Sequence, residues 1–208
     1  MNNTKKEKYE VKEGNYPIIL SVENDKYVMN IVQDENPFDP REKYHIGTMI
    51  CKHDRYSLGD KPGEYNEMSI DDVTELATAE GNVWFPLYLY DHSGITMRTT
   101  PFSCPWDSGQ VGYIFISKEQ MEEEKITPEK AEEYLRYEVE EYDNYLQGNY
   151  WGIVLEEKKI CLTCNHTEYE VVESLWGFFG KLKDAPILDI KSNFPEDSHE
   201  LLQALINY

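Results

Sequence analysis

Three polar segments set between apolar runs carry the residue types that chemistry uses. Asp34-Glu-Asn-Pro-Phe-Asp-Pro-Arg-Glu42 offers Asp34, Glu35, Asp39 and Glu42 as oxygen ligands for a hard cation. It has neither the alternating spacing nor the central glycine of an EF-hand loop. Two prolines and an arginine among acids describe a stiff, internally paired loop more simply. The second segment is His53-Asp-Arg-Tyr-Ser-Leu-Gly-Asp60, and the third pairs Asp91-His-Ser-Gly94 with Pro105-Trp-Asp-Ser-Gly109. Converging loops of this kind would line a pocket with Asp39, Arg41, His53, Arg55, Asp91, His92, Trp106 and Asp107, the site of a small enzyme or ligand-binding protein. Asp91, His92 and Ser93 are the residue types of a hydrolase triad. Neighbours in one turn do not line up nucleophile, base and orienting acid, however. Ser108 lies in Trp-Asp-Ser-Gly-Gln rather than the Gly-x-Ser-x-Gly of a nucleophile elbow, and Asp107-Ser108-Gly109 reads as a turn. No residue is assigned a catalytic role.

Four cysteines sit at 51, 104, 161 and 164. Cys161-Leu-Thr-Cys164 followed by His166 supplies three zinc ligands, and a tetrahedral structural site wants a fourth, for which Cys51, His53 and Cys104 are the remote candidates. A hairpin with incidental thiols is the simpler reading, and neither metal nor cofactor is expected. Cys51 and Cys104, in apolar surroundings, read as small buried hydrophobes. No Gly-x-x-x-x-Gly-Lys, Gly-x-Gly-x-x-Gly or His-Glu-x-x-His occurs, which argues against common NTPase, dinucleotide and zinc-protease activities.

The elements that must position these residues follow from pattern. Residues 1–14 are polar and read as a flexible tail, leaving 15–208 as a single domain. Tyr16–Val22 and Lys26–Val32 are β-rich runs joined by the turn Glu23-Asn24-Asp25. Pro37 and Pro40 make Gln33–Tyr44 a loop, and Ile46–Lys52 is a short strand. Ser69 caps an amphipathic helix carrying Ile70, Val73, Leu76 and Ala77. Val83–Tyr90 is a buried strand whose Pro86 demands a bulge or an edge, Ile95–Thr100 pairs with it, and Val111–Ile116 is another strand. Ser117 with Gln120 has capping-box spacing. Thr127-Pro128 opens the longest helix, whose stripe is Ala131, Leu135, Val139, Tyr142 and Leu146 and whose end is Gly148. Tyr150–Leu155 and His166–Val172 read as strands, and Pro195–Tyr208 ends in a short helix. Strand runs broken by one long and two or three shorter helices predict an α+β fold with a mainly antiparallel sheet.

Charge then narrows the partners. The 208 residues carry 40 acidic and 20 basic side chains, a net charge of −20. Between Lys118 and Glu157, 13 acids face 4 bases, a net of −9 in 40 residues. Nucleic-acid phosphate and anionic membranes want cationic surface, so neither is an expected partner. No apolar run is long enough to span a bilayer, and the opening MNNTKKEKYEVKEG lacks the apolar core of a secretory signal, so a cytoplasmic protein is expected. An acidic helix face either keeps a protein hydrated or meets a cationic macromolecule. In the second reading Glu132, Glu133, Glu140, Glu141 and Asp143 supply attraction, and Tyr134 and Tyr137 supply contact area.

Three stretches carry a resemblance: Gln33–Glu42 leading to Ile46–Asp60; Pro101-Phe-Ser-Cys-Pro-Trp-Asp-Ser-Gly-Gln-Val-Gly112; and Glu138–Gly148 with Trp176-Gly-Phe-Phe-Gly180. Together they resemble a set of small acidic proteins of phages and other mobile elements, over residues 27 to 180. The resemblance implies a protein of the host-cell cytoplasm that acts as an anti-CRISPR or anti-restriction inhibitor. Its partner would be a host protein or ribonucleoprotein with a basic nucleic-acid channel, bound by nucleic-acid mimicry.

Overall fold

A computed structural model describes residues 9–60, 65, 67–182 and 190–208. The fold class is α+β, with antiparallel pairing throughout the described strands. In chain order the strands are β1 (Lys12–Glu13), β2 (Ile18–Glu23), β3 (Tyr27–Gln33), β4 (Thr48–Cys51), β5 (Val83–Asp91), β6 (Ile95–Arg98), β7 (Ser108–Ile116), β8 (Tyr150–Ile160) and β9 (Thr167–Phe179). The α-helices are α1 (Ile70–Ala77), α2 (Lys118–Glu124), α3 (Pro128–Leu146) and α4 (His199–Ile206). Of the expected tail, residues 1–8 lie outside the described residues, and Lys12–Glu13 pair with Ser21 and Leu20 as β1.

The chain gathers into two compact units, 1–37 with 148–208, and 38–147. In the first unit the sheet order is β1-β2-β3-β8-β9. The β2–β3 turn forms as expected, because the Asn24 carboxamide oxygen accepts the N–H groups of Lys26 and Tyr27 at 2.9 and 2.7 Å. Met29, Ile31, Ile153 and Leu155 bury one face of this sheet in a cluster with Leu201, Leu202 and Leu205 of α4. Strands β8 and β9 outrun the predicted runs, by five residues past Leu155 and seven past Val172. Those additions, from Glu156 to Ile160 and from Glu173 to Phe179, mix charge and apolar residues without clean alternation, so periodicity alone misses them.

In the second unit the order is β4-β7-β5-β6. Leu87, Leu89, Met97, Ile114 and Ile116 share a buried cluster with Ala131, Leu135, Val139 and Tyr142 of α3. Each such aliphatic side chain, fully buried, stabilises the fold by about 1.5–3 kcal/mol. Phe115, the odd member of the run Ile114–Ile116, instead packs with Ile50 and with Val73 and Ala77 of α1. Period-two alternation in β7 thus separates the α3 layer from the α1 layer. Pro86 is tolerated because β6 pairs with Tyr88–Asp91 and stops short of it, and a register shift lies beside it between Leu87 and Tyr88.

The helix starts obey capping chemistry. Ser69 and Asp72 form a reciprocal capping box on α1. Thr127 accepts the Lys130 N–H on α3, with Pro128 at the first helical position. On α2 the box is half made: Ser117 Oγ accepts the Gln120 N–H, but the Gln120 side chain donates outward to the Ile46 carbonyl at 2.8 Å.

Candidate functional site

The second unit is pinned by a buried ionic knot. The Arg41 side chain is 2% exposed. Its guanidinium donates to Glu138 Oε2 at 2.9 Å, to Asp60 Oδ1 at 2.6 Å and to the Gly47 carbonyl at 2.6 Å. Glu138 also accepts the N–H groups of Ile46 at 2.7 Å and Gly47 at 3.1 Å, while Asp60 Oδ2 accepts the Met49 N–H at 2.9 Å. Three buried or part-buried ionic side chains therefore fasten the start of β4 to α3. The 3₁₀ turn Pro40–Glu42 presents Arg41, and Asp39 caps that turn by accepting the Arg41 N–H at 2.8 Å.

This corrects one expectation. Arg41 and Asp39 are not among the residues lining the cleft that gathers the other loops, because the arginine's donors are taken by Glu138, Asp60 and the Gly47 carbonyl and Asp39 caps the turn that carries it. Glu138, one of the 13 acids between Lys118 and Glu157, is buried and belongs to the same knot.

Most of the remaining loop residues do meet. A cleft of about 550 Å³ is lined by Lys52, His53, Arg55, Asp91, Trp106 and Asp107, with Asp54, Leu89 and residues 108–111, while the expected His92 is not part of its lining. The Arg55 guanidinium pairs with Asp91, and the Tyr56 hydroxyl donates to the other Asp91 oxygen at 3.4 Å. His53 Nδ1 accepts the N–H groups of Arg55 and Tyr56 at 3.2 and 3.3 Å, and its ring stacks on Tyr56 at 5.0 Å. An Nδ1 that accepts places the ring proton on Nε2. The Asp91 N–H donates to the Asp107 carbonyl at 2.8 Å, and His92 Nδ1 lies 3.6 Å from Asp107 Oδ2. Trp106 stands at the rim with 92% of its surface exposed. The polar groups here are largely paired with one another. Ser108 Oγ is engaged with the Cys104 carbonyl, and Ser108–Gly109 begin β7 rather than a free turn.

The third assembly is the outward face of α3. Glu132, Glu133, Arg136, Tyr137 and Glu140 are exposed there, and Glu141 is half-buried. Tyr137 is 55% exposed at the centre of the strip. Partial burial, then the Glu141 and Glu140 carboxylates, hold its hydroxyl above the ordinary pKa. Lys130 pairs with Glu133, and Tyr134 is half-buried beneath Lys130. Directly before α3, α2 adds exposed Glu119, Glu122, Glu123 and Glu124. Asp143 departs from the expected surface role. It is half-buried, and its Oδ1 accepts the Thr96 hydroxyl and the Met97 N–H, both at 2.7 Å, while Oδ2 accepts from Gln147. It ties β6 to the helix.

Among the described residues no three His, Cys, Asp or Glu side chains gather in a metal-holding group. Burial pushes the Cys51 thiol up to about 12, with Asp60 adding to the rise and Arg41 opposing it. Cys104 is half-buried and its thiol points to Asp107 Oδ2 at 3.5 Å. No helix among the described residues is long and apolar enough to cross a membrane.

Sequence reasoning missed the partnership of Arg41, Asp60 and Glu138. The one available signal was Glu138 itself, one position before the stripe residue Val139 and three after Leu135, on the flank of the buried face. Comparisons with protein-family models, curated proteins and solved structures return no match.

Proposed function

We propose that this chain is a non-enzymatic inhibitor that binds the basic, nucleic-acid-handling surface of a host defence complex through the outward face of α3. The observation that carries this reading is the strip itself. Glu132 and Glu133 stand one turn before the exposed Tyr137, and Glu140 and Glu141 one turn after it. Arg136 and Lys130 are the cations among them, and each also lies over a ring, Phe85 at 4.2 Å and Tyr134 at 5.1 Å. Carboxylates ringed about an exposed tyrosine join long-range attraction to a flat, low-entropy contact. The defence-complex setting rests on the resemblance to mobile-element proteins. Withdrawing Glu138 and Asp143 leaves Glu129, Glu132, Glu133, Glu140 and Glu141 on the helix, with Lys130 and Arg136 among them; against the roughly 9 phosphates on one strand of a 30 Å duplex, α3 imitates less than a single strand.

The test is affinity capture from bacterial lysate with the wild-type chain and with Glu132→Lys, Glu133→Lys, Glu140→Lys and Glu141→Lys combined. The wild type is expected to retain a nucleic-acid-binding complex at low salt and to release it to added duplex DNA and to high salt. Capture that survives the fourfold reversal overturns the reading.

A second reading is favoured by the convergence of His53, Arg55, Asp91 and Asp107 beneath Trp106: the cleft binds a small polar ligand. Thermal-shift screening against charged metabolites, with Arg55→Ala as control, is expected to find an Arg55-dependent rise in Tm. No shift across the screen removes this second reading.

A further inference from the structure

The β8–β9 hairpin ends in a structure that neither reading uses. Strand β3 pairs with β8 as far as Glu157, and beyond it Lys159 and Ile160 pair with Glu168 and Thr167 of β9. The hairpin tip therefore extends past its neighbouring strand. Its turn is closed by the Cys161 N–H donating to the His166 carbonyl at 2.8 Å and by the Asn165 N–H donating to the Cys161 carbonyl at 2.9 Å. Asn165 takes φ 56°, the left-handed conformation that Asn tolerates among non-glycine residues. Both thiols of Cys161-Leu-Thr-Cys164 are free and exposed.

Cys161 and Cys164 bracket this one tight turn, held by those backbone bonds, and both present their thiols to solvent. The Cys-x-x-Cys spacing is that of a zinc knuckle. Such a turn supplies two ligands, and a structural zinc site wants four. Among the described residues no third ligand joins the pair.

Two further observations say where the other two ligands come from. Leu162 in the turn is 98% exposed and Ile160 beside it 60% exposed, an apolar collar of the kind a protein partner covers. In a chain of net charge −20, the eight residues Ile160–Thr167 contain no Asp, Glu, Lys or Arg. Two copies can therefore approach tip to tip without bringing carboxylates together. We propose that Cys161 and Cys164 of two copies of this chain bind one zinc ion between them in a tetrahedral four-thiolate site. The bridge joins two hairpin tips and is independent of the acidic strip on α3. Each thiol gives up its proton to solvent as its sulfur binds, and no oxidation takes place.

The test titrates the reduced full-length protein with Co²⁺, then displaces it with Zn²⁺, following absorbance and sedimentation together. The expected result is tetrahedral ligand-field and sulfur-to-cobalt charge-transfer bands that saturate at one ion per two chains, with the mass doubling over the same titration. Zinc should bleach the bands and keep the doubled mass. The variant Cys161→Ser with Cys164→Ser should lose bands and doubling alike, its circular dichroism unchanged. The proposal is overturned if reduced protein gives no such bands, if they saturate at one ion per chain with the mass unchanged, or if the double variant retains them.

Discussion

Replacing Arg41 by Ala tests the ionic knot most directly. Arg41 sits between Glu138 at 2.9 Å and Asp60 at 2.6 Å, with a third bond to the Gly47 carbonyl. The variant leaves two poorly solvated carboxylates facing a void where their shared cation stood. Breaking a buried pair from one side costs about 3–5 kcal/mol, because the remaining charge keeps its desolvation cost and loses its partner. At about 1.36 kcal/mol per factor of ten, this is two to nearly four decades in the opening equilibrium. Hydrogen exchange followed by mass spectrometry is the appropriate assay, since it reads the two compact units separately. Segments around the Met49 amide, which donates to Asp60, and along α3 should lose protection by that factor. The sheet of β2, β3 and β8 should keep its own. The double variant Arg41→Met with Glu138→Leu separates two accounts. A simple ion pair exchanged for apolar side chains often loses nothing. Here Glu138 also accepts the Ile46 and Gly47 N–H groups, each costing about 1–3 kcal/mol when left unsatisfied. The double variant should therefore remain destabilised. Loss of less than a factor of ten in Arg41→Ala would refute the reasoning.

Asp143→Ala should cost about 1–3 kcal/mol in urea unfolding by stranding the Met97 N–H, whereas Glu140→Ala should change stability by less than about 0.5 kcal/mol. Gly112→Ala should destabilise the second unit at or beyond the upper end of the usual 1–3 kcal/mol or so for overpacking, because its Cβ would stand 1.9 Å from the Ile50 carbonyl oxygen, a backbone atom unable to step aside. Rising pH should also weaken this unit. The folded Cys51 thiol holds its proton to about 12 against an ordinary value of 9.0, and burial raises the Tyr142 hydroxyl in the same direction. The unfolded chain loses these protons first, so the folded state binds more of them and stability falls between those two pH values. Urea midpoints measured across that range should decline, with a shallower slope in Cys51→Ala.

Local chemistry and periodicity account for what was legible in this sequence, and range in the chain accounts for what was not. The α3 stripe, the Ser69 and Thr127 caps and the Asn24 turn depend on residues within a few positions of one another, and all are found where pattern places them. The knot joins Arg41 to Glu138, 97 positions away, and no local period records that choice. Its consequence reaches the functional reading, because carboxylates of one helix divide between two kinds of work. Glu138 and Asp143 accept from buried or half-buried backbone N–H groups and hold β4 and β6 to α3. Glu132, Glu133 and Glu140 remain outside, since their positions rotate away from the Leu135–Val139 face. Counting charge in the sequence merges the two sets and overstates the surface open to a partner. Separating them by burial concentrates the recognition hypothesis on the turn before and the turn after Tyr137. There a reversal of charge should act on binding with little effect on folding, while the same reversal at Glu138 should do the opposite.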